Sequence, residues 1–263
     1  MQPFIEILGF SINMYWLWLV IGIILAIGLM FLRRHIYHFK TSASDICYLI
    51  LVCTAGMLIG AKLLDIIVFI ATNGNQPNFW TIENWLIIVP GVGFAYGGLI
   101  LGFIFALIYV RKFKVDFWDA ADIMIPSILL IHVFGRVGCF YAGCCHGIQA
   151  DWGIAFSQSF SAPNGIPFIP VQLFEAVICL IVFGAMLVFR PEKKRPGILF
   201  PIYLMTYSLT RFVLEFIRGD MGRGIFLLST SQWISVVVLP VGIWLLYKRI
   251  SMRNCENTVN SEI

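Results

Sequence analysis

Residues 132–147 read His-Val-Phe-Gly-Arg-Val-Gly-Cys-Phe-Tyr-Ala-Gly-Cys-Cys-His-Gly, a short run holding an arginine, three cysteines and two histidines. Arg136 leaves an apolar stretch for a segment with no other Lys or Arg. An arginine at the bilayer centre costs about 2.5–3.5 kcal/mol, and less near the edge, so one beside a span has an anionic partner or lines a wet cavity. The chemistry that suits it is bidentate recognition of a phosphate or carboxylate. Gly135, Gly138 and Gly147 let the backbone approach what the arginine holds. The Gly-Arg-x-Gly segment is read as a turn at the membrane edge.

A second charged constellation lies at 207–218, where Arg211 and Glu215 stand four apart and Arg218 follows three further on. Helical spacing puts all three on one face. Holding helices together by burying such a stripe is a weak device, because desolvation offsets the Coulombic gain. A functional arginine oriented by a carboxylate is the better reading. Lys62 and Asp65, three apart, read as a local ion pair.

Cys139, Cys144, Cys145 and His146 offer soft ligands, yet adjacent cysteines fit one tetrahedral site awkwardly and the usual Cys-x2-Cys spacing is absent. No metal site and no cofactor is therefore expected. At an oxidising face, a disulfide from Cys139 to Cys144 or Cys145 that pins the loop, or a reduced reactive thiol, suits the spacing better. Cys47, Cys53 and Cys179 read as small apolar residues within spans.

The elements that must position these groups follow from composition. With 263 residues, 60% hydrophobic and 12% charged, and a mean hydropathy of +0.89, the chain is too apolar for a soluble domain. It reads as a single integral-membrane domain over 1–263, all-α, with about seven transmembrane helices. The spans are predicted at about 12–32, 46–71, 86–110, 119–139, 171–189, 197–217 and 227–247. The first is long enough to span and is read as a retained helix and not a cleaved signal.

Thirteen of the 18 Lys and Arg fall in alternate loops and the tail: Arg33, Arg34 and Lys40; Arg111, Lys112 and Lys114; Arg190, Lys193, Lys194 and Arg195; Lys248, Arg249 and Arg253. By the positive-inside rule the N-terminus faces out, the C-terminus is cytoplasmic and the 132–147 run lies at the outer face. The net charge of +4 thus signals orientation and not nucleic acid.

Gly135-Arg136-Val137-Gly138 with Phe140 and Gly147, Tyr15, Gly97-Gly98-Leu99, Pro170-Val171-Gln172-Leu173-Phe174-Glu175 and the Arg211 to Arg218 segment, taken in order, resemble the prolipoprotein diacylglyceryl transferases. The resemblance runs from Tyr15 to Ser231-Gln232. It implies a multi-pass enzyme of the bacterial plasma (inner) membrane, its active site toward the outer face. The implied reaction moves the diacylglyceryl group of phosphatidylglycerol to the lipobox cysteine thiol in the signal peptide of a prolipoprotein, releasing glycerol 1-phosphate. The implied partners are phosphatidylglycerol, the prolipoprotein and membrane lipid, with no nucleic acid.

The chain departs from the family pattern at three places: Tyr96 replaces a histidine, Cys139 an asparagine and Cys144 a glutamate. With a reference pKa near 10, tyrosine is a poor general base without help. The expected catalytic set is Tyr15, Tyr96, Arg211 and Glu215, with Arg136, Gly135, Gly138, Gly98, Gly147 and Arg218 binding substrate. Two other classes remain open: a membrane thiol-disulfide oxidoreductase using Cys139, Cys144 and Cys145, and a non-catalytic phospholipid-binding membrane protein.

Overall fold

The computed structural model describes residues 3–7, 10–73, 95–159, 162–188, 197–219, 224–225 and 227–261. The expected start of the third span, the basic cluster from Arg190 to Arg195, and Arg223 lie outside the described residues. The chain is mostly helical and divides into two compact units, Lys40–Ala120 and the remainder.

Seven α-helices are present among the described residues: α1 (Met14–Tyr37), α2 (Ala43–Asn73), α3 (Ala95–Lys112), α4 (Phe117–Ala142), α5 (Val171–Val188), α6 (Leu199–Leu214) and α7 (Thr230–Ser261). Each falls within or across one predicted span. Five of them, α1, α2, α4, α5 and α7, contain segments long and apolar enough to cross a membrane. The all-α expectation needs one addition, three two-stranded antiparallel hairpins: β1 (Phe4–Ile7) with β2 (Phe10–Asn13), β3 (Gln149–Ala155) with β4 (Pro167–Phe168), and β5 (Gly224–Ile225) with β6 (Leu228–Ser229). The first hairpin explains why α1 starts at Met14. Asn13 ends β2, and its Oδ1 accepts from the Tyr15 backbone N–H at 2.9 Å, an N-cap that satisfies one orphan donor.

Within the Lys40–Ala120 unit, α2 and α3 pack through glycines. Gly56 and Gly60 stand one turn apart on α2, as Gly98 and Gly102 do on α3. A Cβ at Gly56 would sit 2.8 Å from Gly102 Cα, one at Gly98 would sit 2.8 Å from the Met57 carbonyl, and Gly60 and Gly97 face each other's carbonyls. Small residues that let backbones touch are a recurrent way for membrane helices to associate, where dispersion does the work of the hydrophobic effect. The close approach that Gly97-Gly98 permits is thus that of α2. In the same unit Lys62 Nζ lies 3.4 Å from Asp65 Oδ2, the local pair that the spacing predicts.

In the other unit α1 runs past the expected end at residue 32. Arg33 is therefore a buried helix residue and not a loop cation. Its Nη2 donates to the Asp122 carbonyl at 3.2 Å and its guanidinium lies 5.1 Å from the Tyr37 ring centre. The Asp122 carboxylate of α4 accepts from the backbone N–H groups of Gly197 and Leu199 at 2.6 and 3.1 Å, satisfying donors at the start of α6. α4 thereby fixes where α6 begins, and α6 carries Arg211 at its far end.

Candidate active site

Three helices meet at one buried carboxylate, that of Glu175, and a fourth joins them through Arg211. Proline cannot continue a helix backward and is favoured beside a helix start, so Pro170 precedes α5 and Glu175 falls in its second turn. Arg136 comes from α4, Arg211 from the last turn of α6, and Ser231 from the first turn of α7. Arg136 Nη2 lies 2.9 Å from Glu175 Oε1, and Arg211 Nη1 lies 3.7 Å from Glu175 Oε2. Arg211 Nη2 lies 3.1 Å from Glu215 Oε2 and donates to Ser231 Oγ at 3.2 Å. Two guanidinium and two carboxylate groups balance formally, which makes the burial of Glu175, 1% exposed, tolerable. Arg211 Nη1 and Glu215 Oε2 make no hydrogen bond among the described residues despite these ion-pair distances. The Nη1 donor is therefore buried and charged, with Glu175 Oε2 at 3.7 Å as its anionic neighbour.

Arg136 does not lie in a turn. α4 continues as helix to Ala142, so Gly135 and Gly138 are helical and Arg136 projects from a rigid element. A Cβ at Gly135 would meet nothing within 4 Å, whereas one at Gly138 would press on Tyr15 O and Cδ2 at 3.1 and 3.2 Å. Gly138 thus seats Tyr15 against α4, where Arg136, Cys139, Cys144 and Cys145 are all within electrostatic reach of its phenol.

Arg211, Glu215 and Arg218 do not share a helix face. α6 stops at Leu214, Glu215–Ile217 form a 3-10 turn, and Arg218 is extended, with φ −76° and ψ 135°. Arg218 instead pairs antiparallel with Gly147. Ile148 N donates to Ile217 O at 2.9 Å, Gly219 N to His146 O at 3.1 Å, and Gly147 N to Ile169 O at 2.8 Å. A Cβ at Gly147 would lie 2.7 Å from Ile217 O and 2.8 Å from Ile169 Cβ, so the chain itself makes the close approach there.

The loop leaving α4 gathers Cys139, Cys144 and Cys145, whose sulfurs all lie within 4.8 Å of one another. All three are free thiols in the structure, so neither expected disulfide pairing is formed. Gln172 Nε2 donates to Cys144 O at 2.7 Å and Ser159 Oγ to Gly143 O at 3.0 Å, which ties the loop down on two sides. Hydrogen bonds to Cys139 and Cys144 hold the Cys145 thiol below the ordinary cysteine value, and Arg218 and Arg136 add to this. Its contacts with Cys139 and Cys145 push the Cys144 thiol up.

His132 is stacked on Tyr207, ring centres 5.1 Å apart, and its Nδ1 makes no hydrogen bond among the described residues. Tyr96 and Gly98 belong to the Lys40–Ala120 unit, with Tyr96 half-buried in the first turn of α3. Glu175 and Ser231 are the members that the sequence reading did not assign. An acidic residue inside an otherwise apolar span was the available signal for Glu175. Nothing local marks Ser231.

Fold and site together define a multi-pass helical membrane protein with a buried arginine–glutamate centre beside a thiol cluster. The sequence model of the family described as prolipoprotein diacylglyceryl transferase matches residues 2–248. The chain is 31% identical to the phosphatidylglycerol–prolipoprotein diacylglyceryl transferase of Clostridium tetani over 93% of this chain and 96% of the relative. It is 33% identical to the second such enzyme of Clostridium perfringens over 96% of both chains, and 30% identical to that of Streptococcus pneumoniae over 90% of this chain and 89% of the relative. The chain belongs to the prolipoprotein diacylglyceryl transferase family.

Proposed function

We propose that this chain transfers the diacylglyceryl group of phosphatidylglycerol to the lipobox cysteine of prolipoproteins, with Arg136 and Arg211 binding the lipid phosphate. The observation that carries the site assignment is the buried Arg211 Nη1, which makes no hydrogen bond among the described residues and lies 3.7 Å from the carboxylate it shares with Arg136. The family and the names of the relatives supply the reaction.

In that reaction the acceptor sulfur bonds to the terminal glyceryl carbon of the lipid. The bond from that carbon to the phosphate oxygen breaks, and its electron pair leaves with the oxygen as glycerol 1-phosphate. The acceptor thiol gives up its proton before or during attack, since the thiolate is the nucleophile. Charge builds on the departing phosphate, where fixed guanidinium donors stabilise it most. Glu175 holds the two arginines at one point, and Glu215 with Ser231 orients Arg211. Tyr15 sits where it can position the lipid or accept a hydrogen bond from the incoming thiol, and Tyr96 stands in for the family histidine.

The seven helices are read as seven spans of the bacterial inner membrane. The N-terminus is outside, the C-terminus cytoplasmic and the centre toward the outer face, in keeping with the alternation of Lys and Arg. The test is purified protein in phosphatidylglycerol vesicles with a lipobox peptide. Glycerol phosphate release matched by a diacylglyceryl mass increase on the peptide cysteine is expected. Peptide left unmodified by folded protein would overturn the reading.

A further inference from the structure

The thiol cluster is not used by the mechanism above. We infer that Cys139, Cys144 and Cys145 form a three-sulfur zinc site whose open fourth position receives the thiol of the acceptor cysteine. This inference rests on the transferase reading for the identity of that thiol.

The geometry answers the objection that adjacent cysteines cannot serve one ion. Consecutive residues in extended chain send their side chains to opposite sides. Cys145 is instead left-handed, with φ 59°, two residues after Gly143, which turns at φ 69°. A non-glycine residue there is strained, at a cost on the order of 1–3 kcal/mol, and such strain persists where surrounding contacts over-determine it. Here the Gln172 and Ser159 hydrogen bonds to the loop carbonyls do so. The result is three sulfurs within 4.8 Å of one another. Tetrahedral zinc with bonds of about 2.3 Å spaces its sulfurs by about 3.8 Å, within small side-chain adjustments of that arrangement.

The donor set selects the ion. Thiolates favour zinc, copper(I) or iron–sulfur clusters, and clusters use four cysteines. Three protein ligands with one position open is the pattern of catalytic zinc, and the three side chains are only half-buried, so the fourth position is reachable. Tyr15 and Arg136, from the proposed substrate site, lie in the same neighbourhood.

The chemistry fits the reaction. A thiol that coordinates zinc is deprotonated outright, so the acceptor would release its proton to water on binding, with no need of a strong base. The coordinated thiolate keeps a lone pair for the glyceryl carbon; the carbon–oxygen bond breaks toward phosphate, and the thioether formed is neutral and a weaker ligand, which frees the product. No electron is gained or lost by any group.

The test uses full-length protein purified without chelator, first for metal content and then with cobalt(II) as a spectroscopic replacement. About one zinc per chain is expected, and in the cobalt form a thiolate-to-cobalt charge-transfer band that rises by roughly one third when a lipobox peptide supplies a fourth thiolate. A peptide with serine in place of that cysteine should leave the band unchanged. Cys139→Ser, Cys144→Ser and Cys145→Ser should each weaken metal binding by at least about tenfold, while Cys47→Ser should not. A disulfide among the three with no bound metal, or a cobalt band indifferent to the peptide, overturns the inference. Full transfer by metal-free protein also overturns it and leaves the transferase reading intact. A peptide-responsive cobalt band without glycerol phosphate release by the zinc form would uphold thiol binding at the metal and overturn the transferase reading.

Discussion

Arg136 Nη2 stands 2.9 Å from Glu175 Oε1, and this contact fastens the end of α4 to the second turn of α5. Because Arg211 approaches the other oxygen of the same carboxylate, two cations remote in sequence are held at one place. Like charges brought together would repel. Glu175, placed between them, makes their proximity stable.

Arg136→Ala should lower transfer by about 100- to 1,000-fold, the loss typical when one donor to developing charge is removed. Arg136→Lys should recover only part of it, because the forked geometry is lost. Steady-state rates in phosphatidylglycerol vesicles check this, with a melting curve to show that the variants remain folded. Near-normal transfer by the alanine variant would remove Arg136 from the phosphate site.

Glu175→Ala should be costly to stability, by about 3–5 kcal/mol, because it strands buried guanidinium charge. Replacing Arg136 and Glu175 together by apolar residues should recover a large part of that loss while transfer stays abolished. Thermal unfolding in detergent of the two single variants and the double variant measures the coupling. If the single and double variants melt alike, the pair is not an energetic unit.

The helical membrane architecture was legible in the sequence because long apolar runs are a direct consequence of bilayer physics. The site was legible in parts. Arg136, Arg211 and Glu215 stood out as charges in apolar surroundings, and the i,i+4 pairing of Arg211 with Glu215 is present at 3.1 Å. The convergence on Glu175 was not legible, since nothing in spacing links position 175 to 136 or 211. Nor was the exit of Arg218 from the helix: periodicity extends a helix until a breaker intervenes, and the first glycine, Gly219, comes after the helix has already tightened at Glu215. Arg33 misled in the opposite sense. A cation at the end of an apolar run resembles a loop marker, but a carbonyl of α4 and the Tyr37 ring accept it within the fold.

On the proposed roles, in which the arginine meets the phosphate and the glutamate orients it, Arg211→Ala should reduce transfer more than Glu215→Ala. Ser231→Ala removes one hydrogen bond to the guanidinium and should cost about 1.5–3 kcal/mol or less. Ranking the three variants by kcat/KM checks the division of roles. An intact Arg211→Ala enzyme beside an inactive Glu215→Ala enzyme would make the carboxylate the direct participant.

Gly147→Val should disrupt the pairing that places Arg218 beside the thiol loop, since even a Cβ would lie 2.7 Å from the Ile217 carbonyl. Lost transfer with a lowered melting temperature is expected, and Gly135→Ala, whose Cβ meets nothing within 4 Å, should melt like the parent. Faster thiol labelling of Cys145 in the Gly147 variant would report the opened loop directly. Unchanged labelling and melting would show that the strand pairing does not hold the loop.

Tyr96 lies in the first turn of α3 immediately before Gly97 and Gly98, where the resemblance read from the sequence implies a histidine in the family. If its side chain serves the chemistry, restoring the imidazole should keep or raise activity, because histidine titrates near neutral pH and tyrosine does not. Tyr96→Phe removes only the hydroxyl and should lower transfer, by about tenfold if one neutral hydrogen bond of roughly 1.4 kcal/mol is lost in the transition state. The pH profile separates proton transfer from positioning. A hydroxyl that only orients lipid changes the rate at all pH values alike, whereas a proton acceptor shifts the alkaline or acid limb. Equal activity of the phenylalanine variant across the profile would make Tyr96 a packing residue and leave deprotonation of the acceptor thiol to the Cys139, Cys144 and Cys145 cluster.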